Sequence, residues 1–273
     1  MYSQIDANKR KTLLLMFGFF VLVGLLAFII GLYFEDFFIT AFALVFATGY
    51  AFWSYYGSAK TALAINGAQE IQKSDNPRLY RMVENLTITT GLPMPKVYIM
   101  PDQALNAFAT GRDPNHAAIA VTQGLLDTMN DNELEGVLAH ELGHVQNYDI
   151  RVSMIAFGLV AAVSIISDMV LRMMFWSGDD EGSNTSPFVM VIAIVALILA
   201  PIAAMLIQLS VSRKREYLAD ATGALTTRYP EGLASALEKI RDIPKGSEMK
   251  KQSASTAHLF FVNPLNGKSF SNL

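Results

Sequence analysis

Residues 130–146, NDNELEGVLAHELGHVQ, govern how the rest of the chain is read. Asn130 with Glu133 three positions on is the signature of a capped helix start. Leu134, Val137, Leu138, Leu142 and Val145 then recur at helical period, so the stretch is expected to be an amphipathic helix. Inside it, His140-Glu141-Leu142-Gly143-His144 is an H-E-x-x-H sequence. Residues four apart on a helix share a face, so both imidazoles can reach one metal ion. Glu141 falls within the arc of the apolar stripe, beside the histidines, where a shielded carboxylate can act as a general base. By chance such a motif occurs in about one chain in a hundred of this length, so it needs support from elsewhere.

A catalytic zinc ion requires a third protein ligand and an open position for water. The chain has no cysteine and four histidines, which removes thiolate ligands, thiolate nucleophiles and disulfides together. His116, His258 or a carboxylate is left as the third ligand, and Glu216 is the best placed of these. It lies in Arg215-Glu216-Tyr217-Leu218-Ala219-Asp220, where Glu216 and Asp220 share a helical face. One can bind metal while the other orients a ligand histidine. His116 sits in a turn-rich neighbourhood, and His258 in an apolar stretch that suits a core histidine. Asp149, just past the motif, reads equally as an orienting acid or as a helix-end acid.

The 273 residues are 52% hydrophobic and 16% charged, with a mean hydropathy of +0.32, so the apolar excess belongs in lipid. A net charge of -3 without a basic stripe argues against a nucleic-acid partner. Residues 12–34, 37–56 and 187–212 are uncharged runs, each long enough to cross a hydrocarbon core of about 30 Å as helix. A fourth candidate, 152–175, is interrupted by Asp168 with Arg172 one turn later. That pair reads as side chains snorkelling near the membrane surface or as part of an ion path. Lys9 to Lys11, Lys60 and Arg213 to Arg215 place both termini on the cytoplasmic side, with Glu35, Asp36 and the acidic stretch 177–186 opposite. The basic N-terminus runs into an apolar stretch without a small-residue cleavage site, which reads as an uncleaved span. Metal chemistry requires the fourth crossing too: His140 and His144 precede 152–175, Glu216 follows 187–212, and all three must lie on one side.

H-E-L-G-H, then two spans, then R-E-Y-L-A-D, resembles the HtpX family of membrane metalloproteases, relatives of the CAAX prenyl endopeptidases, over essentially the whole chain. The resemblance implies one Zn²⁺ per chain held by His140, His144 and Glu216, with Glu141 as general base and Asp220 supporting the site. Residues 106–111, NAFATG, resemble that family's segment beside the active site. Residues 96–100 and 117–122 on either side read as strands, and an exposed edge at Asn106, Ala107 and Phe108 can pair with an extended peptide. The family continues past the stretch matching 258–273 into a His-Pro segment and a final helix, so this chain is expected to be C-terminally truncated. The fold expected is a mainly α membrane protein: four transmembrane helices and a cytoplasmic α+β zincin-like (gluzincin) protease domain with a small sheet. Its parts are 1–56 with the first hairpin, 57–151 with the motif, 152–212 with the second hairpin, and 213–273 with the third ligand.

The function expected is zinc-dependent endoproteolysis of misfolded or membrane proteins at the cytoplasmic face of the cell membrane, in protein quality control. One rival keeps the fold and processes lipidated C-termini, although four spans are few for a lipid-accessible chamber. A second is a small transporter using Asp168 and Arg172.

Overall fold

The structure, a computed structural model, describes residues 2–33, 35, 37–176, 213–242 and 260. The helices are α1 Tyr2–Tyr33, α2 Phe37–Ile65, α3 Pro77–Thr90, α4 Gln123–Thr128, α5 Asp131–Gln146, α6 Asp149–Trp176, α7 Arg213–Thr227 and α8 Pro230–Asp242. The strands are β1 Gln69–Glu70, β2 Lys96–Met100, β3 Ala107–Gly111 and β4 Ala117–Thr122. The protein is thus mainly helical with a small sheet.

Caps set the helix starts. Asn76 accepts the Leu79 amide ahead of α3, with Pro77 as first helical residue, and Gly91 closes that helix at φ 69°. Asn130 and Glu133 form the reciprocal capping box of α5, and the buried Glu133 also takes Lys239 Nζ at 2.6 Å and Ser235 Oγ at 2.9 Å. One carboxylate therefore starts α5 and fastens α8 to it.

The sheet runs β1-β2-β4-β3, with β2 and β4 parallel and the outer pairs antiparallel. Alternate residues point to opposite faces, and both faces are covered. Val97, Ala107, Ile119 and Val121 meet α3, α5 and α8 through Val83, Leu138 and Leu233. Met100, Phe108, Ala118 and Ala120 meet Ala62 and Leu63 of α2 and Met154 and Phe157 of α6.

Helices α1 and α2 run past the uncharged stretches 12–34 and 37–56 in one direction each, because nothing in Lys9 to Lys11 or in 57–65 breaks a helix. Residues 152–175 lie inside α6. Residues 177–212, His258 and 261–273 lie outside the described residues, as do the side chains of Asp168 and Arg172. Counted over the described residues, no helix is long and apolar enough to cross a membrane. The four spans therefore remain an inference from the sequence.

Gly136 lies at a close approach of α8 to α5: a Cβ there would lie 2.6 Å from Leu233 N. Overpacking against backbone costs about 1–3 kcal/mol and the gain in helix propensity returns about 1 kcal/mol. Gly136→Ala is expected to lower stability on balance, read as a lower denaturant midpoint in detergent at unchanged slope.

Candidate metal centre

His140 and His144 stand one turn apart on α5, with ring centroids 4.8 Å apart and planes at 87°. Glu216 reaches them from α7, its Oε2 lying 3.6 Å from each Nε2, while the two Nε2 atoms are 3.2 Å apart. Small residues allow this approach. A Cβ on Gly143 would lie 3.1 Å from Ala219 Cα, and one on Gly223 would lie 3.1 Å from His140 N.

Both rings are oriented from behind. His140 Nδ1–H donates to Asp220 Oδ1 at 2.8 Å and His144 Nδ1–H to Asp149 Oδ2 at 3.1 Å. An ionised carboxylate only accepts, so each Nδ1 carries the hydrogen and each neutral ring turns its Nε2 lone pair inward. Three acceptor atoms thus converge on one point, an arrangement that repels itself unless positive charge sits there. Tetrahedral zinc with bonds of ~2.0–2.1 Å holds its ligand atoms ~3.3–3.4 Å apart, so the triangle and its donor set fit that ion.

The acid–base properties point the same way. Burial opposes charge on His144, but Asp149 and Glu216 outweigh it and push the imidazole up to about 10. His140 is likewise raised against burial, by Asp220 and Glu216. Burial would raise Glu216, but the hydrogen bonds from His140 and His144 hold its carboxyl well below the usual range. Without a metal a proton supplies the positive charge, and a divalent cation must displace it.

Glu141 lies beside the cluster, 2% exposed, with Oε2 accepting the Ala109 amide hydrogen at 2.8 Å. Burial pushes its carboxyl above the usual range, against the pull of His140 and His144 and with a smaller upward push from Glu216.

His140, Glu141, His144, Glu216 and Asp220 are therefore all brought together. Asp149 joins them through a turn, and helical-face arithmetic does not find it. His116 is elsewhere: it is exposed and bonded to Asp113 at 2.7 Å. Asn106, Ala107 and Phe108 are not an exposed edge as side chains, each being fully buried. Their strand ends the described sheet, but α5 and α6 pack over its faces, so only backbone remains to meet a peptide.

The model of peptidase family M48 matches residues 73–266. This chain belongs to that family. It is 55% identical over 266 residues to a protein named protease HtpX homolog from Tropheryma whipplei (strain Twist), covering 97% of this chain and 90% of that one. Proteins of the same name from Lactobacillus helveticus (strain DPC 4571) and Listeria monocytogenes serotype 4b (strain CLIP80459) are 44% and 41% identical. The first alignment covers 100% of this chain and 94% of the relative, the second 98% and 92%. A crystal structure of S. mikatae Ste24p aligns at a TM-score of 0.49 with 20% identity, covering 88% of this chain and 59% of that one. Membership of family M48 makes the chain a metalloprotease and sets aside the non-enzymatic transporter.

If Asp149 and Asp220 orient the two imidazoles, Asp149→Asn and Asp220→Asn are each expected to weaken zinc binding roughly 10–100-fold. Competition with a chromophoric chelator measures this; parental affinity in both variants would remove their assigned role.

Proposed function

We propose that this family M48 metalloprotease is a membrane-anchored, zinc-dependent endopeptidase acting on misfolded or membrane proteins at the cytoplasmic face of the cell membrane. His140, His144 and Glu216 would hold the zinc, Asp220 and Asp149 would orient the histidines, and Glu141 would be the general base. The convergence of two Nε2 atoms and one carboxylate oxygen, with both Nδ1 atoms already committed, carries this reading.

Bound zinc would supply Lewis acidity toward a water molecule and the scissile carbonyl. Glu141 takes the proton of the attacking water and returns it to the departing amine. Its burial suits the second step, since a carboxyl with a raised pKa holds a proton between two transfers. The Ala109 amide fixes one carboxylate oxygen and leaves the other for the proton. The backbone edge of β3 beside it is the place for an extended peptide to pair. Segments 57–151 and 213–273 would together form the protease domain.

The membrane reading is supported by the surface of α1 and α2. Leu14, Phe17, Phe38, Phe42, Val45 and Phe46 are 63–73% exposed. In water such side chains would each forgo roughly 1.5–3 kcal/mol of burial, whereas in hydrocarbon they forgo nothing. The proximity of His144 and Glu216 requires an even number of crossings between α5 and α7. Asn8 of α1 bonds Asp149 beside the site, which supports a common side for the N-terminus and the metal.

Glu141→Gln is expected to keep near-stoichiometric zinc and lose peptide hydrolysis, while Glu216→Ala loses zinc affinity. Metal analysis alongside casein cleavage, with and without chelator, distinguishes them; a folded Glu141→Gln protein without zinc would make Glu141 a ligand instead.

Topology has its own test, because the chain has no native cysteine. Single cysteines at Ser183 and Ser247 are expected to differ in intact cells toward an impermeant thiol reagent, the first labelling and the second not. Labelling of Ser247→Cys would overturn the cytoplasmic placement.

A further inference from the structure

The N-terminal part of α1 reaches the metal centre. Asn8 is 3% exposed, and its carboxamide uses its nitrogen twice on the turn between α5 and α6. Nδ2 donates to the Asn147 carbonyl at 2.8 Å and to Asp149 Oδ1 at 2.7 Å. The other oxygen of Asp149 accepts from His144 at 3.1 Å. One carboxylate thus stands between α1 and a metal-facing imidazole. The next residue, Lys9, grips the same turn with its ammonium 5.1 Å from the centroid of the Tyr148 ring.

The turn needs such a grip. His144 and Asp149 are five positions apart, a spacing that does not share a helix face. They meet because α5 stops at Gln146 and Tyr148 adopts a left-handed φ of 61°, which a residue with a Cβ takes only at a cost. Asp149 also has a second suitor, Arg215, whose Nε lies 3.9 Å from Oδ1. The Asn8 amide occupies Oδ1 at shorter range and fixes the carboxylate plane, so that Oδ2 stays aimed at His144.

We propose that Asn8 is a positioning residue for the metal centre: by holding Asp149 and the Asn147 carbonyl it keeps His144 in its metal-binding orientation. The segment ahead of the first apolar run thereby becomes part of the active site. This rests on the reading of His144 as a metal ligand.

The test uses the full chain in detergent, with zinc affinity measured by chelator competition and peptide hydrolysis resolved into kcat and KM. Asn8→Ala removes the side chain, and Asn8→Asp keeps its shape while removing both donated hydrogen bonds. Both are expected to bind zinc roughly tenfold more weakly and to lower kcat at nearly constant KM. In an Asp149→Asn background each should cost clearly less, because the contact to that carboxylate is already lost and only the one to the Asn147 carbonyl remains. Arg10→Ala removes an exposed charge of the same helix, outside the contacts to the turn, and should keep parental zinc affinity. His144→Ala is the benchmark. If it binds zinc like the parent, the ligand reading itself fails. If His144→Ala loses zinc, the Asn8 proposal alone is overturned by parental affinity in Asn8→Asp, by an equal penalty in the Asp149→Asn background, or by an equal loss in Arg10→Ala.

Discussion

Gly143 and Ala219 meet at a separation that leaves a Cβ on the glycine only 3.1 Å from the opposing backbone, and the candidate metal centre depends on that approach. His140 and Asp220 are 80 positions apart in sequence, yet they must meet at hydrogen-bond distance. A carboxylate side chain has a short reach, so α7 has to lie nearly in backbone contact with α5 before Glu216 and Asp220 can address the two histidines. Gly223 against the His140 amide extends the same seam by one more turn. The glycine inside the H-E-x-x-H motif is therefore a packing requirement of the site.

The same economy joins the long helices to the sheet. One face of the sheet is closed by α3, α5 and α8, and the other by the C-terminal part of α2 and the N-terminal part of α6. Ala62, Leu63, Met154 and Phe157 pack directly on Met100 and Phe108. The protease fold and the long helices thus share a core and are not separate bodies on a tether. Strand β3, which carries the Glu141 contact, is seated between helices from both groups.

What the sequence made legible was whatever obeys a regular period or a local cap. The start of α5 at Asn130, the stripe from Leu134 to Val145, strands β2 and β4, and the pairing of Glu216 with Asp220 all follow from spacing. What it hid depends on irregular backbone or on contacts across the fold. Asp149 reaches His144 only through the left-handed Tyr148, so counting along a helix face does not find it. Asn8 lies in a stretch whose basic neighbours read simply as an orientation signal, and only tertiary packing brings it to Asp149. The NAFATG segment was legible as a strand beside the site, but the burial of its Phe108 face depends on α2 and α6, which a local reading treats as membrane helices alone.

Under the proposed reading, the placement of Glu141 ties the chemistry to the strand. A carboxylate that must first accept and then surrender a proton benefits from a raised pKa, which burial supplies. Burial alone would leave a charged oxygen without a donor, at considerable cost. The Ala109 amide meets that need from the outward edge of β3, at 2.8 Å. Because β3 pairs with β4 on its other side, residues whose amides face outward alternate with those committed to the sheet. Under the proposed reading the base is therefore held by the same edge that would pair with a peptide.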